Sequence, residues 1–274
     1  MDIDQNSRNI GFPDTFDAYF FQKAWDIFWN YRAFIVKLVL LTAFIVTFLL
    51  EVLDKSIILQ YDPGQLDLET VTPRDLLSYL FFIFLVQLIV LIPKAFLFVV
   101  FILTLPKMYE SVTINFSDSL IAGFSKWIPL YMYSALVTLL TDLGLMVLII
   151  PGILIAIQFT LLQFVVVLEE NVKIIPRSFY IISGKQWKVL AIYLIKIFVL
   201  VVLSFPFLVS MFSGAFEPSS DFNSEGTVSN TQFLYSFIEQ IIMAGVTYFI
   251  TILFFQLYMM TRIENNEIEI VQDG

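Results

Sequence analysis

Between Leu76 and Leu105 the chain carries one charged residue, Lys94, and its polar exceptions are Ser78, Gln87 and Thr104. A run of this kind cannot be hidden in a soluble domain. Wholly helical, it would measure about 45 Å at 1.5 Å per residue, against a hydrocarbon layer of roughly 30 Å. Such a helix must tilt, bend at Pro93 or project beyond the bilayer. Shorter apolar runs surround it over 33–53, 127–150, 153–168, 187–212 and 233–260. With 59% apolar and only 14% charged residues in 274, the chain departs from soluble domains, in which about a quarter of residues are charged. The fold class that follows is an all-α membrane protein, a bundle of about six transmembrane helices.

Two further segments read as interfacial amphipathic helices. Over 14–29, Phe16, Phe20, Ala24 and Ile27 recur at helical spacing, Asp14 is placed to cap, and Trp25, Trp29 and Tyr31 suit a headgroup region. Over 176–183, Ile175, Phe179 and Ile182 fall on one side and Lys173 and Arg177 on the other. Residues 1–12 read as a flexible N-terminus, 13–260 as a single membrane domain and 261–274 as a solvated acidic tail. The composition of 214–232 is that of a mobile exposed loop, and 54–75 forms an acidic connection. The first residues lack the basic-then-apolar pattern of a secretory signal, so the first span is expected to stay in the membrane.

Six crossings put both termini on one side, and the cations say which. Arg8, Lys23, Arg32, Lys107, Lys126, Lys173, Arg177, Lys185, Lys188 and Arg262 fall on the terminal side, whereas the opposite side has Lys55 and Arg74. Because basic loops stay in the cytoplasm, both termini are expected there, in a bacterial inner membrane. Residues 26–34, 119–127 and 179–187 each give an amphipathic piece, a break, a cation and an aromatic residue before an apolar span. This is either an internal repeat of three hairpins or the shared demand of every interface for cations and aromatic rings.

From Pro151 to Trp187 the chain reads Pro-Gly, apolar helix, Glu, then Arg-Ser-aromatic, Gly and Trp before another apolar helix. A tight turn at Pro151-Gly152 is expected to start a fresh short span at Ile153. The pattern, carried by Pro151, Gly152, Glu169, Arg177, Ser178, Gly184 and Trp187, resembles that of YciC-like bacterial inner-membrane proteins. It also resembles the membrane domain attached to some glycerophosphodiester phosphodiesterases. The resemblance covers about forty residues and departs from the pattern at Pro176, where a small residue is usual. It implies architecture, membrane part only; the catalytic barrel of such phosphodiesterases, about 250 residues, has no counterpart here.

Chemistry narrows the functional classes. Histidine and cysteine are both absent, which removes the usual general base, thiolate and imidazole metal ligands, and the Ser-His relay. No phosphate loop, HExxH or nucleophile elbow is present. A net charge of −9 argues against nucleic acid. No catalytic residue, metal or cofactor is expected, and the expected partners are membrane lipids and other membrane proteins. Embedded charges are functional candidates by default, here Lys94, Asp142, Lys196 and Glu239. Lys94 and Asp142 lie at similar depths and could pair; alternatively Lys94 reaches the surface while Asp142 faces water. Lys37, one turn inside its span, reads as snorkelling, and Gln87, Gln158, Gln163 and Gln256 as interhelical hydrogen-bonding groups. Glu169, Lys173 and Arg177 form a candidate interfacial headgroup site, or else a solvated helix end with Glu169 paired to Lys173, worth about 0.3 kcal/mol.

The leading functional reading is a non-enzymatic structural or assembly component of the bilayer or of a membrane complex. The second is a small-solute or lipid transporter or channel using embedded charges, and the third a lipid-modifying enzyme. Transport asks for a water-accessible cavity touching Asp142 or Glu239 and Lys196. A scaffold asks for a closed apolar bundle.

Overall fold

The computed structural model describes residues 16–57, 73–147, 149–212, 230–265 and 267. In order these form α1 (Ala18–Asn30), α2 (Arg32–Ile57), α3 (Pro73–Tyr109), α4 (Phe116–Gly123), α5 (Trp127–Val147), α6 (Ile149–Phe159), α7 (Leu162–Leu168), α8 (Ile174–Ile182), α9 (Gln186–Phe212) and α10 (Asn230–Glu264). No strand occurs among the described residues. Four segments are long and apolar enough to cross a membrane: Arg32–Leu53, Phe84–Tyr109, Gln186–Leu203 and Phe233–Glu264. A fifth arises if α4 and α5, bent by 65° at their junction, count as one, and Gly152–Leu168 is a shorter apolar stretch. The chain is therefore a multi-pass, membrane-embedded helical protein.

Several boundaries move from their sequence expectations, each for a local reason. Asp17, not Asp14, caps α1: its carboxylate accepts from the Tyr19 and Phe20 N–H groups at 2.9 and 3.3 Å, which suits the positive helix end. Position 14 lies outside the described residues. α3 runs unbroken through Pro93 and past Pro106 to Tyr109, so the long run is one helix of about 55 Å. The turn expected at Pro151-Gly152 does not fall there: both residues are helical, and Pro151 sits in the first turn of α6, where its missing N–H costs nothing. Gly152 instead permits close approach. A Cβ on Gly144 of α5 would lie 2.9 Å from the Gly152 Cα and 3.0 Å from its N, so the α5–α6 hairpin closes on two glycines.

The short span also breaks within itself. α6 ends at Phe159 and α7 begins at Leu162, and the Thr160 hydroxyl donates to the Ala156 carbonyl at 2.7 Å, a local bond that competes with regular helix. Pro176 fits the first turn of α8 in the same way as Pro151 fits α6. α8 stops at Gly184, whose φ of +76° is the left-handed conformation that ends helices. The loop expected over 214–232 lies outside the described residues as far as 229, and by Asn230 the chain is already helical. Nor is 261–274 a solvated tail from its start: α10 continues to Glu264 and Thr261 is buried.

The centre of the bundle is the second half of α10, where every residue from Ile250 to Thr261 is buried. A helix apolar all round must be enclosed by others, and α2, α9, α1 and α8 pack around this one. α1 applies Phe20, Ala24 and Ile27, all buried, leaving Trp25 and Trp29 exposed. Gln256 is fully buried. Its amide donates to the Phe20 carbonyl at 2.9 Å and accepts from the Ala24 N–H at 3.2 Å and the Tyr109 hydroxyl at 2.8 Å, joining α1, α3 and α10. Thr42 and Tyr248, 2.8 Å apart, tie α2 to α10 in the same manner. Outward, α2 presents Val36, Leu40, Phe44, Phe48 and Val52, a stripe of every fourth residue suited to lipid.

The ends of the long helices nearest the short ones gather at one end of the bundle. Tyr31 donates to the Val112 carbonyl at 3.3 Å, and Phe34 meets the Phe116 ring edge-on at 5.6 Å. Lys126 pairs with Glu170 at 3.2 Å, while Lys185 pairs with Glu264. Three times here, a short helix (α1, α4, α8) breaks at a turn and feeds a long apolar one (α2, α5, α9), at the places where the sequence pattern recurs.

Candidate functional site

α5 is built inside out relative to a helix of a soluble protein. Ile128, Met132, Leu136, Leu139, Leu140 and Leu143 are exposed, whereas Ser134, Thr138, Thr141 and Asp142 turn inward. Their spacing of four, seven and eight residues is one face of a helix. That face forms one wall of a cavity of about 340 Å³. Lys196 and Tyr193 approach it from α9, and Thr247 and Thr251 from α10. The α6–α7 break supplies Thr160 and Gln163, and Phe98, Phe159 and Phe254 close the rest. By helix rise, Asp142 and Lys196 lie about 22 and 15 Å from the gathered helix ends. Both depths fall within a layer roughly 30 Å thick, that of Lys196 near its middle.

Asp142 and Lys196 face the same space without meeting. Among the described residues Asp142 and Lys196 have no ion pair, with each other or with another group. The hydroxyls are only partly committed: Thr160 and Tyr193 lie 2.9 Å apart, and Thr251 donates to the Thr247 carbonyl at 2.7 Å, which leaves oxygen lone pairs available. Unwound backbone is tolerated at membrane depth where it lines a polar cavity, and broken helices at the midplane are where membrane transporters build their sites.

The other two embedded charges are elsewhere. Lys94 and Glu239 are exposed and absent from the cavity wall. Among the described residues Lys94 makes no ion pair, so the pairing considered for Lys94 and Asp142 does not form; Lys196 shares the space with Asp142 instead. Lys37 is exposed, its Nζ 5.9 Å from the Phe116 ring centre at the gathered ends. Of the four glutamines, Gln163 lines the cavity and Gln256 is the buried junction described above. Gln87 is exposed, and the buried Gln158 Oε1 has no partner.

The proposed headgroup site is occupied by the protein itself. Arg177 Nε donates to Glu169 Oε2 at 2.8 Å, and the two guanidinium Nη atoms take both oxygens of Glu267. Tyr258 donates to Glu169 Oε1 at 2.7 Å. The Glu169 side chain is only 8% exposed. Lys173 does not pair with Glu169, because α7 ends at Leu168 and Lys173 opens a separate helix, so no i,i+4 relation exists. The amphipathic faces of α8 also differ: Ser178, Ile181 and Ile182 are buried, while Ile175 and Phe179 point outward. Hydrogen bonding to Arg177 holds the Glu267 carboxyl below its ordinary value, and Glu267 in turn raises that of Arg177. The hydrogen bond from Lys126 lowers Glu170.

The hydroxyl stripe is what reading for charges overlooks. Its signal was available, as Ser or Thr at helical spacing on α5 and at 247 and 251. Among the described residues no cluster of three or more His, Cys, Asp or Glu could hold a metal ion. In comparison with known proteins, no family model matches this chain, nor does any curated protein or solved structure.

Proposed function

We propose that this chain is a non-enzymatic protein of a bacterial inner membrane that crosses it six times, with both termini in the cytoplasm, and holds a small polar solute or lipid headgroup in its central cavity. Transport or channelling of that solute is the activity in view. The observation that carries the reading is the cavity bounded by Asp142, Lys196 and a face of hydroxyls. A purely structural component asks for a closed apolar bundle, and two uncompensated charges, each costing about 2.5–3.5 kcal/mol on insertion scales, would serve no purpose in one. At about 340 Å³ the space also falls within the range of ligand sites, roughly 300–1,000 Å³. The broken α6–α7 segment is the part best suited to move, since it is short and unwound at the cavity wall.

The chain has no cysteine, so single substitutions report directly on water access. Thr138→Cys and Thr251→Cys in native membranes are expected to react with small water-soluble methanethiosulfonate reagents. Ala43→Cys in the packed core and Leu136→Cys on the outer face are expected to stay unreactive. Reaction at 138 and 251 no faster than at 43 would mean a dry bundle and would return the chain to the scaffold reading.

A further inference from the structure

We infer that the cavity recognises a zwitterion, with Asp142 meeting the cationic group and Lys196 the anionic one. This rests on the solute-binding reading above and names its ligand class. The argument begins with charge: the cavity presents one carboxylate and one ammonium, and neither has an internal partner. A lone anion would satisfy Lys196 and be repelled by Asp142; a lone cation would meet the reverse. A neutral polyol would leave both charges uncompensated in a low-dielectric setting, where that is most costly. Only a molecule bearing both signs satisfies both groups at once.

Size sets a second limit. About 340 Å³ holds roughly ten waters at 30 Å³ each, enough for an amino acid, a betaine or an ethanolamine phosphate headgroup, but not for acyl chains. Hydroxyl groups that line the same cavity, on Thr247 and Thr251 among others, can donate or accept and so hydrate whatever joins the two ends. A free zwitterionic solute and a zwitterionic lipid headgroup share this chemistry, and the test separates them.

The full-length Thr138→Cys protein is placed in nanodiscs of phosphatidylglycerol, which supply no zwitterionic lipid, and methanethiosulfonate labelling is timed with alanine, glycine betaine, acetate, choline or glycerol added. Slowing by alanine or glycine betaine, and not by the other three, is the result expected for a free solute. Slowing in phosphatidylethanolamine nanodiscs with nothing added is the result expected for a headgroup. Asp142→Asn or Lys196→Met, each removing one charge-assisted contact, is expected to raise the half-protecting concentration at least about tenfold, while Asp142→Glu retains protection. The comparison among solutes uses a protein with both charges intact, so it stands even if a charge variant fails to fold. If Thr138→Cys reacts but neither kind of zwitterion protects it, or glycerol, acetate or choline protects as well, the zwitterion is overturned and the water-filled cavity survives. If Thr138→Cys does not react at all, both fall.

Discussion

Arg177→Met would remove the group that ties α8 both to Glu169 at the end of α7 and to Glu267 beyond α10. Glu169, with its side chain 8% exposed, would keep the Tyr258 hydroxyl as its one partner among the described residues. Breaking a buried pair from one side is costly because a charge is left behind. The expected loss is about 3 kcal/mol, at the low end for such pairs because Arg177 is partly exposed. Adding Glu169→Gln should recover part of it, since the stranded charge is then gone. Unfolding followed in detergent by intrinsic fluorescence measures both. A loss under about 0.5 kcal/mol would place the contact among ordinary surface pairs. The sequence grouped Glu169 with Arg177, but as a site for an outside ligand, and the partner it offered Glu169 along one helix was Lys173. Glu267 was invisible as a partner, because ninety positions separate it from Arg177 and no local periodicity connects a chain end to a distant helix.

At the scale of the element, helical segments were readable because apolar length and aromatic flanks follow directly from bilayer thickness. Their interruptions were less so. A proline in the first turn of a helix and a proline that ends one look alike in the sequence, which is why Pro151 was read as a turn and is not one. The motif residues from Pro151 to Trp187 now have separate physical jobs. Gly152 admits Gly144, Glu169 binds Arg177, Ser178 is fully buried and donates to the Gln158 carbonyl at 3.3 Å, Gly184 ends α8, and Trp187 stays 81% exposed. The glycine crossing gives a direct prediction. Gly144→Ala would press a methyl to 2.9 Å from backbone that cannot rotate aside, so a loss of about 1–3 kcal/mol is expected. Gly245→Ala on α10, where nothing lies within 4 Å of the added carbon, should be neutral or gain up to about 1 kcal/mol. Thermal midpoints of the two purified variants make the comparison. Equal effects would show that the hairpin closes less tightly than described.

For the molecule as a whole, the question is which way the gathered helix ends face. The start of α2, the end of α3, the start of α5, the end of α7, the start of α9 and the end of α10 meet at one end, through Tyr31 to Val112, Lys126 to Glu170, Arg177 to Glu267 and Lys185 to Glu264. On the six crossings proposed above, the last end returns to the side of the first. Most of the chain's cations lie on that side, and some are neutralised there by Glu169, Glu170, Glu264 and Glu267. Lysines and arginines decide orientation whether or not acidic residues accompany them, because acidic residues contribute little to insertion. The gathered end should therefore face the cytoplasm even though it is rich in ion pairs. In the cysteine-free chain, Ser125→Cys, at the exposed turn before α5, is expected to resist a membrane-impermeant maleimide in cells with a permeabilised outer envelope and an intact inner membrane, and to react in inverted vesicles. Ser219→Cys, between α9 and α10, should do the reverse. Labelling of both positions from the same side would contradict six crossings, whereas exchange of the two patterns would keep the bundle and turn it over.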